Sequence, residues 1–265
     1  MILTAGGKTD RGLVRPGNED SIYVNEKLRL VAVADGMGGH ASGETASKLA
    51  AGIIRDYFQK GRQATGSYDS SYSDTTNRLK AAVLLANKTV YETARSSTEL
   101  SGMGTTVAVA ALHENRLSYA HVGDSRIYLV RSGSIEQLTD DHSYAPEQVG
   151  RNGADTGAAL PSDMKNILTR AVGIEADVDV DLGELTVFEG DLLLLCTDGL
   201  YNMVSDEEIL EIVLRAGNVR AASEILIDTA NENGGMDNIS AIVGYIHEEK
   251  KWYSSWSTFI KAFRR

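Results

Sequence analysis

Between Thr106 and Val130 the chain lays down three apolar runs, "TVAVAAL", "LSYAHV" and "RIYLV", joined by links of only a few residues. A parallel crossover needs a dozen or more residues, so strands this closely linked must run antiparallel. "HENR" at 113–116 and "RSGS" at 131–134 read as hairpin turns. Further strand-like runs are Leu28–Ala34, Asp191–Cys196 and Asn238–Ile246, rich in Val, Ile, Leu, Tyr or Ala and bounded by Gly, Asp or Asn.

Four segments carry helical periodicity instead: Glu44–Gln59, Asp74–Arg95, Asp206–Leu214 and Val219–Asn233. Ser205, with Glu208 three residues on, marks the start of the third as a capping box. The helices come in two pairs on either side of the strand block. That order predicts an antiparallel β core with helices covering both faces. Two segments stand apart. Gly61–Ser73 is a polar loop, and Ser143–Asn166, rich in Gly, Ala and Pro, reads as an insertion.

The 265 residues are 42% hydrophobic, enough for one large core or two small ones. The formal charge of −11 argues against a nucleic-acid binder, which normally presents a basic face. No apolar run reaches bilayer length. The start, "MILTAGGKTDRG", lacks a basic segment followed by a sustained apolar stretch, so no secretory signal is expected. The single Cys196 permits no internal disulfide and lies in the apolar run "LLLLCT", where it reads as core. A cytoplasmic protein is the expectation.

The chemistry gathers where strands end. Asp35-Gly36 follows "LVAVA", Asp198-Gly199 follows "LLLLCT", and Gly123-Asp124 follows "SYAHV". Asp237 immediately precedes the run "NISAIV", and "RPGNED" holds Arg15, Glu19 and Asp20. One Asp-Gly after a strand is ordinarily a turn. Four such positions plus the "NED" cluster ask for more, because several carboxylates cannot stay unpaired near a dry core. Arg15 and Arg126 cannot balance six acids. Hard divalent cations bind such oxygen ligands, whereas five histidines and one cysteine make a tetrahedral zinc site the weaker choice.

Two readings compete for "VAVADGMGGHASGE", Val31 to Glu44: a metal-holding turn and a phosphate-cradling loop. Gly36 to Ala41 satisfies the loose G-x-G-x-x-G/A dinucleotide pattern, with Asp56 about twenty residues on. But Asp56 falls inside a predicted helix, and the downstream block is antiparallel hairpins where a nucleotide fold needs βαβ units. The metal reading is preferred.

At this point the chain resembles a known family, the metal-dependent Ser/Thr protein phosphatases of type 2C in their compact bacterial form. The matching blocks are "TDRGLVRPGNEDS" (9–21), "VADGMGGHASGE" (33–44), "GTTVAVA" (104–110), "AHVGDSRIYL" (120–129), "LTDDHS" (138–143), "LTRAVG" (168–173), "LLLCTDGL" (193–200) and "DNISAIV" (237–243). The resemblance implies an α+β fold, a four-layer αββα sandwich of two mainly antiparallel sheets flanked by helix pairs. It implies a phosphatase domain over 1–247, with a flap at about 143–166, and a C-terminal extension at 248–265. It also implies roles. Asp35 would bridge two Mn²⁺ or Mg²⁺ ions, with the Gly36 carbonyl ligating one and Asp198 and Asp237 the other. Glu19 and Asp20 would bind or orient metal waters. Asp124 would help hold a third, weaker ion. Arg15 would grip the substrate phosphate. A bridging hydroxide would attack phosphoserine or phosphothreonine on proteins directly, opposing a cognate Ser/Thr kinase.

Several positions depart from the family pattern. Many relatives carry a histidine directly after the Asp-Gly, credited with protonating the leaving oxygen. Here that residue is Met37, and the acid is left to His40 or to a metal-bound water. Arg126 is expected to pair with an acid structurally. The flap is unusually rich in Gly and Ala, which leaves it open as a gate or an inert loop. The tail "KKWYSSWSTFIKAFRR" places Trp252, Trp256, Phe259, Ile260 and Phe263 on one helical face among basic residues. That pattern suits docking to a membrane surface or a protein through 250–265, or packing on its own domain. A catalytically silent phosphopeptide binder and a phosphatase of small metabolites are the alternative functions.

Overall fold

A computed structural model describes residues 1–38, 41–64, 68–144 and 167–248. His40, most of the expected flap and the 250–265 tail lie outside the described residues.

The strands are β1 (Ile2–Asp10), β2 (Asp20–Asn25), β3 (Leu30–Met37), β4 (Gly104–Thr105), β5 (Val107–His113), β6 (Arg116–Val122), β7 (Arg126–Arg131), β8 (Ser134–Gln137), β9 (Asp181–Thr186), β10 (Leu192–Cys196) and β11 (Ile239–His247). The helices are α1 (Ala41–Gln59), α2 (Asp74–Ala94), the short α3 (Asp198–Tyr201), α4 (Asp206–Arg215) and α5 (Val219–Glu232). One sheet has the order β1-β11-β10-β7-β8, and the other β2-β3-β5-β6-β9, with β4 added beside β3. The strand pairings are antiparallel, as the short links require.

The apolar runs are continuous because the interior strands are covered on both faces. Along β3, Leu30, Ala32 and Ala34 pack with α1 and α2, whereas Val31 and Val33 face the sheet that contains β10 and β11. Along β10, Leu192, Leu194 and Cys196 pack with α4 and α5, whereas Leu193 and Leu195 face the sheet that contains β3 and β5. This two-step alternation builds the expected four layers: helices, sheet, sheet, helices. Each large aliphatic so buried contributes about 1.5–3 kcal/mol.

Both predicted hairpins close with two-residue loops, His113 opposite Arg116 and Arg131 opposite Ser134. Ser132 and Gly133 take positive φ there, 52° and 82°, which matches the twist of the flanking strands. The Ser205–Glu208 capping box forms in full. Helix boundaries fall close to the periodicity, except that α1 starts at Ala41, earlier than Glu44. Strands β1, β2 and β9 were not expected from the sequence, and β8 was implied only by the hairpin turn before it; all four are sheet edges.

Candidate active site

Antiparallel pairing brings distant acids to one end of the sandwich. Asp35 stands near the end of β3 and lies directly across from Asp20, the first residue of β2. Asp124 sits in the turn between β6 and β7, Asp198 opens α3 just past β10, and Asp237 lies two residues before β11. A cavity of about 930 Å³ opens here, lined by Arg15, Glu19, Asp35, Asp124, Asp198 and Asp237 among others. Gly36 and Met37 also line it, and Met37 offers no proton to a leaving group. Asp20 is almost fully buried and lies beneath the cavity, away from its surface.

The backbone around Asp35 is held tightly. Its N–H donates to Thr106 Oγ1 at 3.0 Å, and its carbonyl accepts from Thr105 Oγ1 and Thr106 N–H at 2.8 Å each. Glycine is required at two neighbouring positions for space. A Cβ on Gly36 would fall 2.1 Å from the Gly43 carbonyl oxygen, and one on Gly43 would fall 2.0 Å from Glu19 Oε2. The first turns of α1 therefore press the Glu19 carboxylate toward the cavity.

Hydroxyls and amides fix the other acids. Asp20 Oδ2 accepts from Thr197 Oγ1 at 2.8 Å and Ser240 Oγ at 2.6 Å. Asn238 accepts from Glu19 N–H and donates to the Arg11 and Gly17 carbonyls, closing the loop that carries Arg15. These supporting residues were not singled out from the sequence, although Thr197, Asn238 and Ser240 sit inside the quoted blocks "CTDG" and "DNIS".

The electrostatics are strained in favour of cations. Burial pushes Asp20 up to about 6, and burial together with Asp124, Asp237 and Asp20 pushes Asp198 up to about 7. Asp35 is raised well above the carboxylate range, first by burial and then by Asp20, Asp198, Asp124 and Asp237. Burial, with Asp141 nearby, raises Asp124 to about 6. Asp20 Oδ1 and Asp198 Oδ1 are buried with no hydrogen-bonding partner. Buried orphan oxygens of this kind call for an explanation, and a role as ion ligands is one. Arg15 donates to Asp237 at 2.6 Å. Burial alone would weaken its charge, but the bond to Asp237 and the fields of Asp198 and Asp35 outweigh that. Arg170, the other arginine on the cavity wall among the described residues, is spent on Asp181. The donor set is therefore all oxygen, acid-rich and short of positive charge, which fits hard divalent cations.

Arg126 behaves as a structural cation. It makes a close ion pair with Asp141 and stacks 3.6 Å from the Tyr201 ring centroid. Cys196 is a buried core residue. A second cluster, not anticipated, lies behind Asp124: His121, His142 and Asp181 bring ligand-type atoms within 4.8 Å of one another. The signal was present in "AHVGD" and "DDHS", but its third member is distant in sequence.

Comparisons with known proteins agree with this geometry. The family model described as protein phosphatase 2C matches residues 16–233. The serine/threonine phosphatase stp of Listeria innocua is 36% identical over 239 residues, covering 89% of this chain and 93% of that protein. The solved structure of the serine/threonine phosphatase of S. agalactiae superposes with a TM-score of 0.81 at 33% identity, covering 92% of this chain and 100% of that one. The catalytic domain of the phosphatase PstP, solved in complex with two manganese ions, gives a TM-score of 0.79 at 35% identity, covering 93% and 99%.

Proposed function

This chain belongs to the protein phosphatase 2C family, and on that premise we propose that it hydrolyses phosphoserine and phosphothreonine on proteins with the help of Mn²⁺ or Mg²⁺. The observation that carries the proposal is the convergence of Glu19, Asp35, Asp124, Asp198 and Asp237 on one cavity whose arginines among the described residues, Arg15 and Arg170, are each already paired with an acid.

Asp35, the Gly36 carbonyl, Asp198 and Asp237 would hold two ions, with Glu19 and Asp20 orienting their waters and Asp124 serving a third. When bound, such ions supply an activated water and neutralise charge on the phosphoryl oxygens. The protein's own groups supply the rest. Asp20, locked by Thr197 and Ser240 through Oδ2, leaves a buried, unpartnered Oδ1 beneath the site, where it would orient an ion or its water. Arg15 is half exposed at the rim, where its planar fork suits two phosphate oxygens. Binding there requires it to release Asp237, which an ion would then engage. Met37 cannot protonate the leaving oxygen, so that proton comes from water or from His40.

The substrates we infer are phosphoproteins of a Ser/Thr kinase sharing the same compartment, in a signalling role. The single buried thiol suits a reducing cytoplasm, and no helix among the described residues is long and apolar enough to cross a membrane. The test is a comparison of phosphothreonine peptides with small metabolite phosphates in Mn²⁺. A clear kcat/KM advantage for the peptides supports protein substrates. Equal or better turnover of the metabolites contradicts them.

A further inference from the structure

Asp124 depends on a turn that other residues must hold in place. Gly123 takes φ 103°, a left-handed conformation reserved for glycine, and a Cβ there would fall 2.7 Å from Thr106. His142 brackets this glycine twice. The His142 N–H donates to the Gly123 carbonyl at 3.1 Å, and the Gly123 N–H donates to His142 Nδ1, also at 3.1 Å. A ring nitrogen that accepts carries no proton, so the neutral imidazole is protonated on Nε2. That N–H points to Asp181 Oδ2 at 3.1 Å, while Arg170 Nη1 holds Asp181 Oδ1 at 2.6 Å. The opposite flank is held as well. Tyr201 Oη donates to the Asp124 carbonyl at 3.0 Å, beneath an Arg126 gripped by Asp141. The adjacent residues Asp141 and His142 thus clamp the turn from both sides.

The same bonds decide what the His121–His142–Asp181 cluster is. A metal on His142 Nε2 would need a ring that gives up its remaining proton while Nδ1 still faces an N–H. Ligating histidines ordinarily donate their second nitrogen instead. His121 meets that condition, with Nε2 3.0 Å from the Asp140 carbonyl, but His142 does not. His142, Asp181 and Arg170 form a hydrogen-bonded relay, against which the His121 ring packs 4.6 Å from that of His142 with its Nδ1 unpartnered.

We propose that His142 is a positioning residue: through its Nδ1 it sets the Gly123–Asp124 turn, and through Asp181 it ties that turn to Arg170 on the cavity wall. The consequence for ion binding rests on the reading of Asp124 as an ion ligand; the clamp itself does not.

The experiment uses the full chain with ¹⁵N-labelled histidine and backbone. In the chelator-treated wild type, His142 should show a protonated Nε2 and a bare Nδ1, with the Gly123 amide slow to exchange. His142→Ala should release that amide and raise the Mn²⁺ needed for half-maximal activity by about 10-fold, the scale seen when an outer-shell partner is lost. His142→Asn, whose Oδ1 can stand in for Nδ1, should restore the protection and most of the Mn²⁺ response. A proton on Nδ1 in the wild type overturns the proposal, as does unchanged Gly123 exchange in His142→Ala or no rescue by Asn. Stoichiometric Zn²⁺ binding that shifts the His121 and His142 ring signals also overturns it, in favour of a metal site. If His142→Ala fails to fold, the wild-type tautomer and exchange data still decide. An Asp124→Asn variant with an unaltered Mn²⁺ response would remove the ion-ligand reading while leaving the clamp to be judged on its spectra.

Discussion

Arg15 and Asp237 form an ion pair at 2.6 Å although they lie at opposite ends of the chain. Each has a second claimant in the proposed reaction, phosphate for Arg15 and a divalent ion for Asp237. Removing the arginine should therefore move two measurements in opposite directions. Arg15→Ala should raise KM for a phosphopeptide by roughly 10- to 100-fold, the worth of a lost charge-assisted hydrogen bond of about 1.5–3 kcal/mol. The Mn²⁺ affinity of the same variant should stay level or tighten. Steady-state kinetics and a calorimetric titration check the pair, and a weakened Mn²⁺ affinity would argue that Arg15 builds the metal site.

Asp198 supplies a pH prediction. Its folded-state pKa stands at about 7, above the usual carboxylate value, chiefly because it is buried among other acids. Between those two values the native protein binds the extra proton, so without metal this group costs stability as pH rises. Asp198→Asn should accordingly stabilise the chelator-treated protein at pH 8, by up to about 4 kcal/mol. The gain should shrink as pH falls toward 4. Denaturant melts across pH test this, and a gain that grows on acidification would contradict it.

The histidine relay titrates with the opposite sign. Burial and the neighbouring His121 lower His142 to about 4. Here the unfolded chain binds the extra proton, so stability is full above the unfolded pKa and falls as pH drops from about 6.5 toward 4. His142→Asn should flatten that part of the profile relative to the wild type in Mn²⁺. An unchanged acid limb would show that His142 is already charged in the native state.

Gly43 tests the packing of Glu19. A methyl there meets Glu19 Oε2 at 2.0 Å, the far end of a side chain that can swing aside, and the Gly36 backbone at 2.9 Å, which needs a small shift. Gly43→Ala should leave a folded protein whose Tm shifts by only a few degrees, about 1–2 kcal/mol, while Mn²⁺-dependent turnover falls about 10-fold or more. Full turnover would mean that the position of Glu19 does not matter.

The sequence revealed every interior strand of three or more residues, but of the four sheet edges it implied only β8, through the hairpin turn before it. Strands β3, β5, β6, β7, β10 and β11 are buried on both faces and therefore read as unbroken apolar runs. The edge strand "ILTAGGKTD" is only partly buried and carries glycines, and "DLGELT" is similarly half exposed. Neither presents a period that a reader could catch. The same contrast holds in the site. Acids at strand ends announce themselves beside glycine. Their supports do not, because Asp20 draws on Thr197 and Ser240 from 177 and 220 residues away. The His142–Asp181 bond, spanning 39 residues, was equally hidden.

The most direct test counts ions and turnover in the same samples. Chelator-treated protein is titrated with Mn²⁺ while bound ions are followed by electron paramagnetic resonance and phosphate release from a phosphothreonine peptide is recorded. The account predicts no release without metal, release that tracks occupancy of a two-ion site, and loss of both in Asp198→Ala and Asp237→Ala variants that remain folded. Release before any ion binds, or full activity in either variant, would contradict it.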